Sequence, residues 1–328
     1  NFELDPHFLD LLMANIRYPK MFRGDFLACL GSIRSGERML VALCDKYGLE
    51  TIRQFIEEYQ DYGDRRMTEE IHKLPQGSWY GEERIDPFPG CPPEGVTLRV
   101  RMTIDPEAAT ITFDMTECDD QVPCGINATK ASSMGGCLQG LLACLDPTLP
   151  RNWGAYRHVR FIQREGSICH PRWPAATSAA TTIVPDRLCN LVFKLFCQFA
   201  PERGHAGCGV EGTAIPYFVG KDWRRGGEPY GSMPFIANSG GPASRGYDGW
   251  PGFLAPAAMG AMLNEATELH ELRNPHLCRE VFFPPDSGGA GQWIGGPGIR
   301  LRIQPRRTDV QIIPFGDGTR YPAGGVLG

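Results

Sequence analysis

From Glu37 to Tyr47 apolar residues recur at helical spacing: Met39, Leu40, Leu43, Cys44 and Tyr47 form one stripe, and Gly48 follows where a left-handed C-terminal residue is wanted. The pattern restarts at once. Ile52, Phe55, Ile56, Tyr59, Tyr62 and Met67 form a second stripe, with Glu57, Glu58, Asp61, Asp64 and Glu69 on the other face, until Pro75 and Gly77 stop it. Two amphipathic helices joined by one glycine predict an antiparallel hairpin, whose charged outer face is either solvated or docks a second subunit. The period then changes to two. Val96, Leu98, Val100, Met102 and Ile104 alternate with Thr97, Arg99, Arg101 and Thr103, a half-buried strand. A turn at Asp105–Ala109 returns the chain through Ile111, Phe113 and Met115, completing a hairpin.

Gly125-Ile126-Asn127 leads into a helix expected from Ala131 to Leu145, and Pro185-Asp186 opens another whose stripe is Leu188, Leu191, Val192, Leu195, Phe196 and Phe199. That second helix is apolar nearly all round, so it belongs at the centre of the fold. After Ala200 glycine, proline and aromatic residues dominate, with one helical stretch expected from Ala257 to about Leu272 and a strand at 299–303. The class is α+β. A helical region is expected over 1–90, a mixed strand-and-helix core over 91–200 and a glycine-rich strand-and-loop region over 201–328, the last either separate or one continuous domain with the core.

The 328 residues are 42% hydrophobic and 22% charged with a formal net charge of -5, enough for a sizeable core and without a basic field for nucleic acid. No apolar run approaches the ~20 residues that span a bilayer, and the first residues lack the pattern of a signal peptide. These features predict a cytoplasmic protein. Of the twelve cysteines, Cys29, Cys44, Cys137, Cys144, Cys189 and Cys197 fall in apolar helical patterns and none forms a C-x-x-C pair, so reduced thiols acting as small hydrophobes are expected.

The candidate chemistry lies in glycine-rich segments, where the main chain can approach a ligand closely. The richest runs from Pro285 to Gly298. Asp286 and Ser287 head it, and the amides of Gly288 and Gly289 are placed to form an oxyanion or phosphate nest, with a tight structural loop as the open alternative. Arg245 and Asp248 belong to a second such segment, where Arg245 suits bidentate anion binding or a surface ion pair. Asn127 accompanies a glycine turn and either binds substrate or caps the turn. His205, inside Gly204-His205-Ala206-Gly207, is expected at an exposed loop apex and joins Asp286 and Ser287 as a catalytic candidate, whereas His270 reads as a surface residue. No spacing in the chain marks a metal-ligand set.

A series of short segments then resembles the hydantoinase B / oxoprolinase family. They are Asn15-Ile16-Arg17-Tyr18-Pro19 with Gly24-Asp25, Lys46-Tyr47-Gly48, Leu74-Pro75-Gln76-Gly77, Gly125-Ile126-Asn127, Pro150-Arg151-Asn152-Trp153-Gly154, and Pro285-Asp286-Ser287-Gly288-Gly289-Ala290-Gly291 with Gly295-Gly296. The resemblance implies a B-type subunit working with an A-type subunit that binds ATP; this chain has no G-x-x-x-x-G-K-[ST] loop. It also implies a divalent metal held by a long N-terminal portion of the family that is absent here, so that the subunit is split, the metal half is a separate polypeptide, or the sequence is partial; a small third subunit is a further possible partner. The implied substrate is a small molecule. Aromatic residues around Tyr217, Phe218, Trp250 and Phe253 tilt the reading toward a ketone carboxylase of the acetone or acetophenone type. Ring opening of a hydantoin, 5-oxoproline or lactam is the rival, and a non-catalytic scaffold is a third possibility.

Overall fold

The computed structural model describes residues 3–16, 18–209, 216–253, 256–258, 264–307, 309–313 and 316–326. The chain divides into two compact units, Asn1–Tyr62 and Gly63–Gly328.

The first unit is helical. Helix α1 (Pro6–Ala14) starts at Asp5, whose carboxylate accepts from the His7 and Phe8 amides, and it packs on α2 (Pro19–Tyr47). Helix α3 (Leu49–Ile71) begins in this unit. The expected hairpin does not form: α2 and α3 do not lie against one another. The reason is local. The Gly48 amide still donates to the Cys44 carbonyl at 2.8 Å while the Gly48 carbonyl already accepts from Ile52 at 3.2 Å, so one helix ends and the next begins across a single residue. A helical hairpin needs a loop of about two to five residues.

The second unit is built on a four-stranded sheet of β1 (Gly77–Ile85), β2 (Val96–Asp105), β3 (Thr110–Asp114) and β4 (Val159–Ile162), in that order. β1 and β2 run antiparallel from Gly77 opposite Ile104 to Ile85 opposite Val96. β3 and β4 are parallel, and the crossover between them carries α4 (Lys130–Cys144) and the short α5 (Trp153–Tyr156). The apolar alternation of β2 is buried as expected, with Leu98, Val100 and Met102 fully covered.

Helix α6 (Ile183–Cys197) is the hub. All its residues but Lys194 and Cys197 are buried, and it packs on both α4 and β1. Gly136 and Gly140 of α4 allow the close approach: a Cβ on Gly140 would stand 2.7 Å from Val192 Cβ and 2.9 Å from the Cys189 carbonyl oxygen.

Beyond α6 lie a three-stranded sheet ordered β6 (Glu228–Ser232), β5 (Tyr217–Asp222), β9 (Val310–Ile313), and a hairpin of β7 (His276–Phe282) and β8 (Arg300–Pro305). The helix expected over 257–272 is not continuous. A single 3-10 turn occupies Pro256–Ala258, residues 264–266 are irregular, and α7 spans Thr267–Arg273; positions 259–263 lie outside the described residues.

The Gly316-Asp317-Gly318 segment is clasped to the core by charge. Arg187 of α6, fully buried, donates to Asp317 Oδ2 at 2.7 Å, to Glu83 Oε2 at 3.2 Å and to the Tyr321 carbonyl at 2.7 Å. Lys194 pairs with the same Glu83. Asp317 accepts the Asp86 amide, and Asp86 in turn accepts the amides of Thr319, Arg320 and Tyr321. Each buried charge is thus met by opposite charge or by N–H donors, the condition for burying charge at all. Among the described residues no helix is long and apolar enough to cross a membrane.

Candidate functional site

The glycine-rich loops form one platform by packing main chain on main chain. A Cβ on Gly240 would overlap the Gly296 carbonyl, and one on Gly249 the Gly241 carbonyl. The approach is fixed by backbone hydrogen bonds: Gly241 N to Trp250 O at 2.8 Å, Gly296 N to Gly241 O at 2.9 Å and Gly249 N to Ile294 O at 2.8 Å. Much of the glycine content therefore serves the contact between residues 238–250 and 288–298. It also consumes donors that a ligand would need: the Ile294, Gly295 and Gly296 amides go to Asp248 Oδ1, Gly289 O and Gly241 O.

At this platform His205 meets Ser244. The two residues form a β-bridge, the Ala206 amide donates to the Ala243 carbonyl at 2.9 Å, and Ser244 and Tyr247 exchange two 3.0 Å backbone hydrogen bonds around a tight turn. Gly246, at φ 94, takes the left-handed position of that turn, and Arg245 stands exposed at its corner. His205 Nε2 lies 3.1 Å from the Ala143 carbonyl and Nδ1 lies 2.6 Å from Ser244 Oγ. A carbonyl only accepts, so Nε2 carries the proton and Nδ1 turns its lone pair to the Ser244 hydroxyl. The Phe193 ring lies edge-on to the imidazole at 4.8 Å, and burial pulls the His205 pKa below its ordinary value. The imidazole is neutral at pH 7, as a base must be. Hydroxyl, base and orienting acceptor are the three parts of an activated nucleophile.

The expected site residues fall in different surroundings. His205 is half-buried and bonded at both nitrogens instead of exposed at an apex, because the strand-like contact with Ser244 folds its loop inward. Asp286 is exposed and holds φ 54, a left-handed conformation that aspartate tolerates; Ser287, also exposed, donates to the Pro284 carbonyl at 2.8 Å. A Cβ on Gly288 would overlap the Gly295 carbonyl, whereas Gly289 has nothing nearer than 4.0 Å and no positive φ. Asp248 ties the two glycine loops together through Ile294. Asn127 is fully buried, accepting from the Val122 amide and donating to the carbonyls of Val122, Cys124 and Ala176, so its side chain is occupied in joining loops.

A second polar array escaped the sequence reading. His270 is buried, not a surface residue, and stands in a file of four groups. Tyr230 OH lies 2.9 Å from His276 Nε2, His276 Nδ1 lies 2.9 Å from His270 Nε2, and His270 Nδ1 lies 3.0 Å from Glu265 Oε2. With both imidazoles neutral, every donor in this file meets one acceptor. The spacing of six residues between the two histidines spans the end of α7 and the turn at Asn274-Pro275, which no periodicity displays. Among the described residues no group of three or more His, Cys, Asp or Glu side chains is placed to hold a metal ion. The divalent metal implied by the family resemblance has no ligand set among those residues.

A family model described as Hydantoinase B/oxoprolinase matches residues 2–328. The caprolactamase subunit beta of Pseudomonas jessenii is 32% identical over 324 residues, covering 98% of this chain and 54% of that protein. The 5-oxoprolinase of Saccharomyces cerevisiae is 23% identical over 294 residues, covering 87% of this chain and 22% of its own length. Among solved structures, the ATP-dependent caprolactamase from Pseudomonas jessenii superposes with a TM-score of 0.81 at 30% identity, over 91% of this chain and 51% of that one. An acetone carboxylase in nucleotide-free form superposes at 0.83 over 98% of this chain and 44% of that one; at 16% identity this likeness shows the α+β fold alone. The chain spans about half the length of the caprolactamase subunit it matches.

Proposed function

Because the chain belongs to the hydantoinase B/oxoprolinase family, we propose that it is the part of a B-type subunit that carries the ring-opening chemistry of an ATP-dependent cyclic-amide hydrolase. The observation that carries this reading is the 2.6 Å contact between Ser244 Oγ and the lone-pair nitrogen of His205. Sequence kinship favours the amide. The relative at 32% identity is a caprolactamase, whereas the likeness to acetone carboxylase is one of fold. ATP is assigned to an A-type partner subunit, since this sequence has no phosphate loop. The partner's nucleotide would phosphorylate the amide oxygen, and that phosphoryl group would pass to water as inorganic phosphate when the adduct collapses to the ester.

The chain's own residues perform the remainder. His205 Nδ1 takes the Ser244 proton as Oγ adds to the amide carbon, and the imidazolium so formed keeps its Nε2–H on the Ala143 carbonyl. The C–N bond breaks as the imidazolium returns that proton to the leaving nitrogen, and water, deprotonated by the same imidazole, hydrolyses the serine ester. Arg245, at the exposed corner beside Ser244, is positioned to hold an anionic substrate group. Ser287 and the Gly288–Gly289 amides are offered as further donors to that anion, which the Asp286 carboxylate would repel.

Ser244→Ala and His205→Gln in the assembled enzyme should each lower kcat by about 100-fold or more with the melting temperature held within a few degrees. Rapid quenching of turnover should show an acyl mass on the Ser244 peptide. Full activity in Ser244→Ala would overturn the reading and leave the scaffold role. The aromatic-rich segment keeps ketone carboxylation as a second reading, in which His205 would remove a proton beside the carbonyl. Assays of lactam, hydantoin and 5-oxoproline against ketone plus bicarbonate, each with ATP, decide between the two.

A further inference from the structure

His205 can act as a base only while its loop holds the imidazole against Ser244, and hydrogen bonds from the main chain grip that loop on several sides. The Gly204 amide donates to the Ala200 carbonyl at 3.2 Å, Ala206 to Ala243 at 2.9 Å, Gly207 to Gly324 at 2.8 Å and Cys208 to Asn190 Oδ1 at 3.0 Å. Three of these partners lie on α6, just after it, or on the glycine platform. The fourth, Gly324, comes from the segment that Arg187 clasps.

Residues 316–326 form neither helix nor strand, so their place is set by what grips them. Arg187 Nη2 donates to the Tyr321 carbonyl at 2.7 Å and Asp86 accepts the Arg320 and Tyr321 amides. Further out, the Tyr321 hydroxyl donates to the Glu94 carbonyl at 2.9 Å and the Arg320 guanidinium to the Pro93 carbonyl at 2.6 Å. Just beyond these anchors the chain crosses Gly207 with no room to spare: a Cβ on Gly207 would stand 2.9 Å from both the nitrogen and the oxygen of Gly324 and 3.1 Å from Ala323 Cβ. Main-chain atoms cannot turn aside as a side chain can, so one of the two backbones would have to move. Helix α6 reaches both sides of this crossing, since Phe193 lies edge-on to the His205 ring at 4.8 Å and Arg187 holds Tyr321.

We propose that residues 321–324 are a positioning strap for the base: through the Gly207–Gly324 hydrogen bond, the clasp at Arg187 sets where His205 Nδ1 meets Ser244 Oγ. The strap rests on the reading of His205 and Ser244 as base and nucleophile. Gly207, Gly324 and Tyr321 are positioning residues, acting on the imidazole through its loop. A base displaced by about an ångström loses up to about 100-fold in rate. A loop pushed outward also exposes the imidazole and so undoes the burial that lowers its pKa.

Gly207→Ala in the assembled enzyme should lower kcat about 10- to 100-fold with KM held within about twofold. The acid limb of its kcat profile should move to higher pH, toward the ordinary histidine value of about 6.5, because the exposed ring takes up its proton more readily. A magnetic-resonance titration of the His205 ring should show the same upward shift without any turnover. Arg320→Ala combined with Tyr321→Phe releases the two outer anchors and leaves the Arg187 and Asp86 contacts in place; it should cost about three- to tenfold in kcat with a shift in the same direction, and it serves as the test where Gly207→Ala does not fold. An unchanged kcat with an unmoved ring titration in a folded variant would overturn the strap, as would a loss of activity that only follows the melting temperature. Full activity in Ser244→Ala would remove the base reading instead, and the ring titration would still decide whether the strap places His205.

Discussion

His276 is buried among His270, Tyr230 and Phe218, and burial first, then the neighbouring His270, pulls its pKa down from 6.5 to about 4. An unfolded chain protonates this imidazole near pH 6.5, the folded one only near pH 4. Between those values the unfolded state binds more protons, so folding stability should fall as the pH falls, with a slope approaching 1.4 kcal/mol per pH unit from this group at about its steepest. Urea midpoints at pH 7, 6 and 5 measure it, and His276→Gln should show a visibly flatter dependence; an identical slope in the variant would refute the assignment. Two other residues carry a redox prediction. All twelve cysteines are free thiols in this structure, yet the Cys91 and Cys124 sulfurs lie 3.3 Å apart, against about 2.05 Å in a disulfide. Burial and the Cys124 sulfur push the Cys91 pKa up to about 11. A disulfide-forming reagent such as diamide should therefore link this pair slowly at pH 7 and faster at pH 9. Mass spectrometry of the joined peptides and loss of two thiols would verify it, and the link should vanish in Cys91→Ser.

Among the elements, the crossing of α4 and α6 is the tightest joint described. Gly140→Leu forces a side chain against Val192 and the Cys189 carbonyl and should cost about 1–3 kcal/mol in chemical denaturation, while Gly135→Ala on the same helix, with open space around it, should be neutral or slightly stabilising. Equal effects of the two would mean that the close approach is not what Gly140 serves. These elements also show how far the sequence can be read. The alternation over 96–104 and the apolar stripe of α6 announce themselves because one face of each is continuously buried. β1 does not, since Gly81, Glu82 and Glu83 break its alternation: Gly81 lies against Leu191 of α6 and Glu83 is paired with Arg187. Both are tertiary reasons, invisible locally. Gly48 was legible as a helix end, but whether the chain then turns back depends on loop length. The candidate site was half legible. Glycine neighbours mark His205, whereas Ser244, 39 residues on, acquires its meaning only through the bridge between their two loops.

Over the whole molecule, the clasp between Arg187 and the Gly316–Gly318 segment ties the middle of the chain to its last described part. Arg187→Leu would leave Asp317 and Glu83 buried without their shared cation and should cost about 3–5 kcal/mol. Adding Asp317→Leu should recover part of that loss. Thermal melts of the single and double variants measure both, and strictly additive losses would contradict a coupled pair. The same clasp sets a clock on biosynthesis. Arg187 leaves the ribosome 130 residues before Asp317. At about 5–20 residues per second, the nascent hub helix waits on the order of ten seconds for Asp317, with Glu83 alone of its two carboxylate partners already made. Until Asp317 emerges, Glu83 has to serve both Arg187 and Lys194, so the core closes over α6 one carboxylate short of its final clasp.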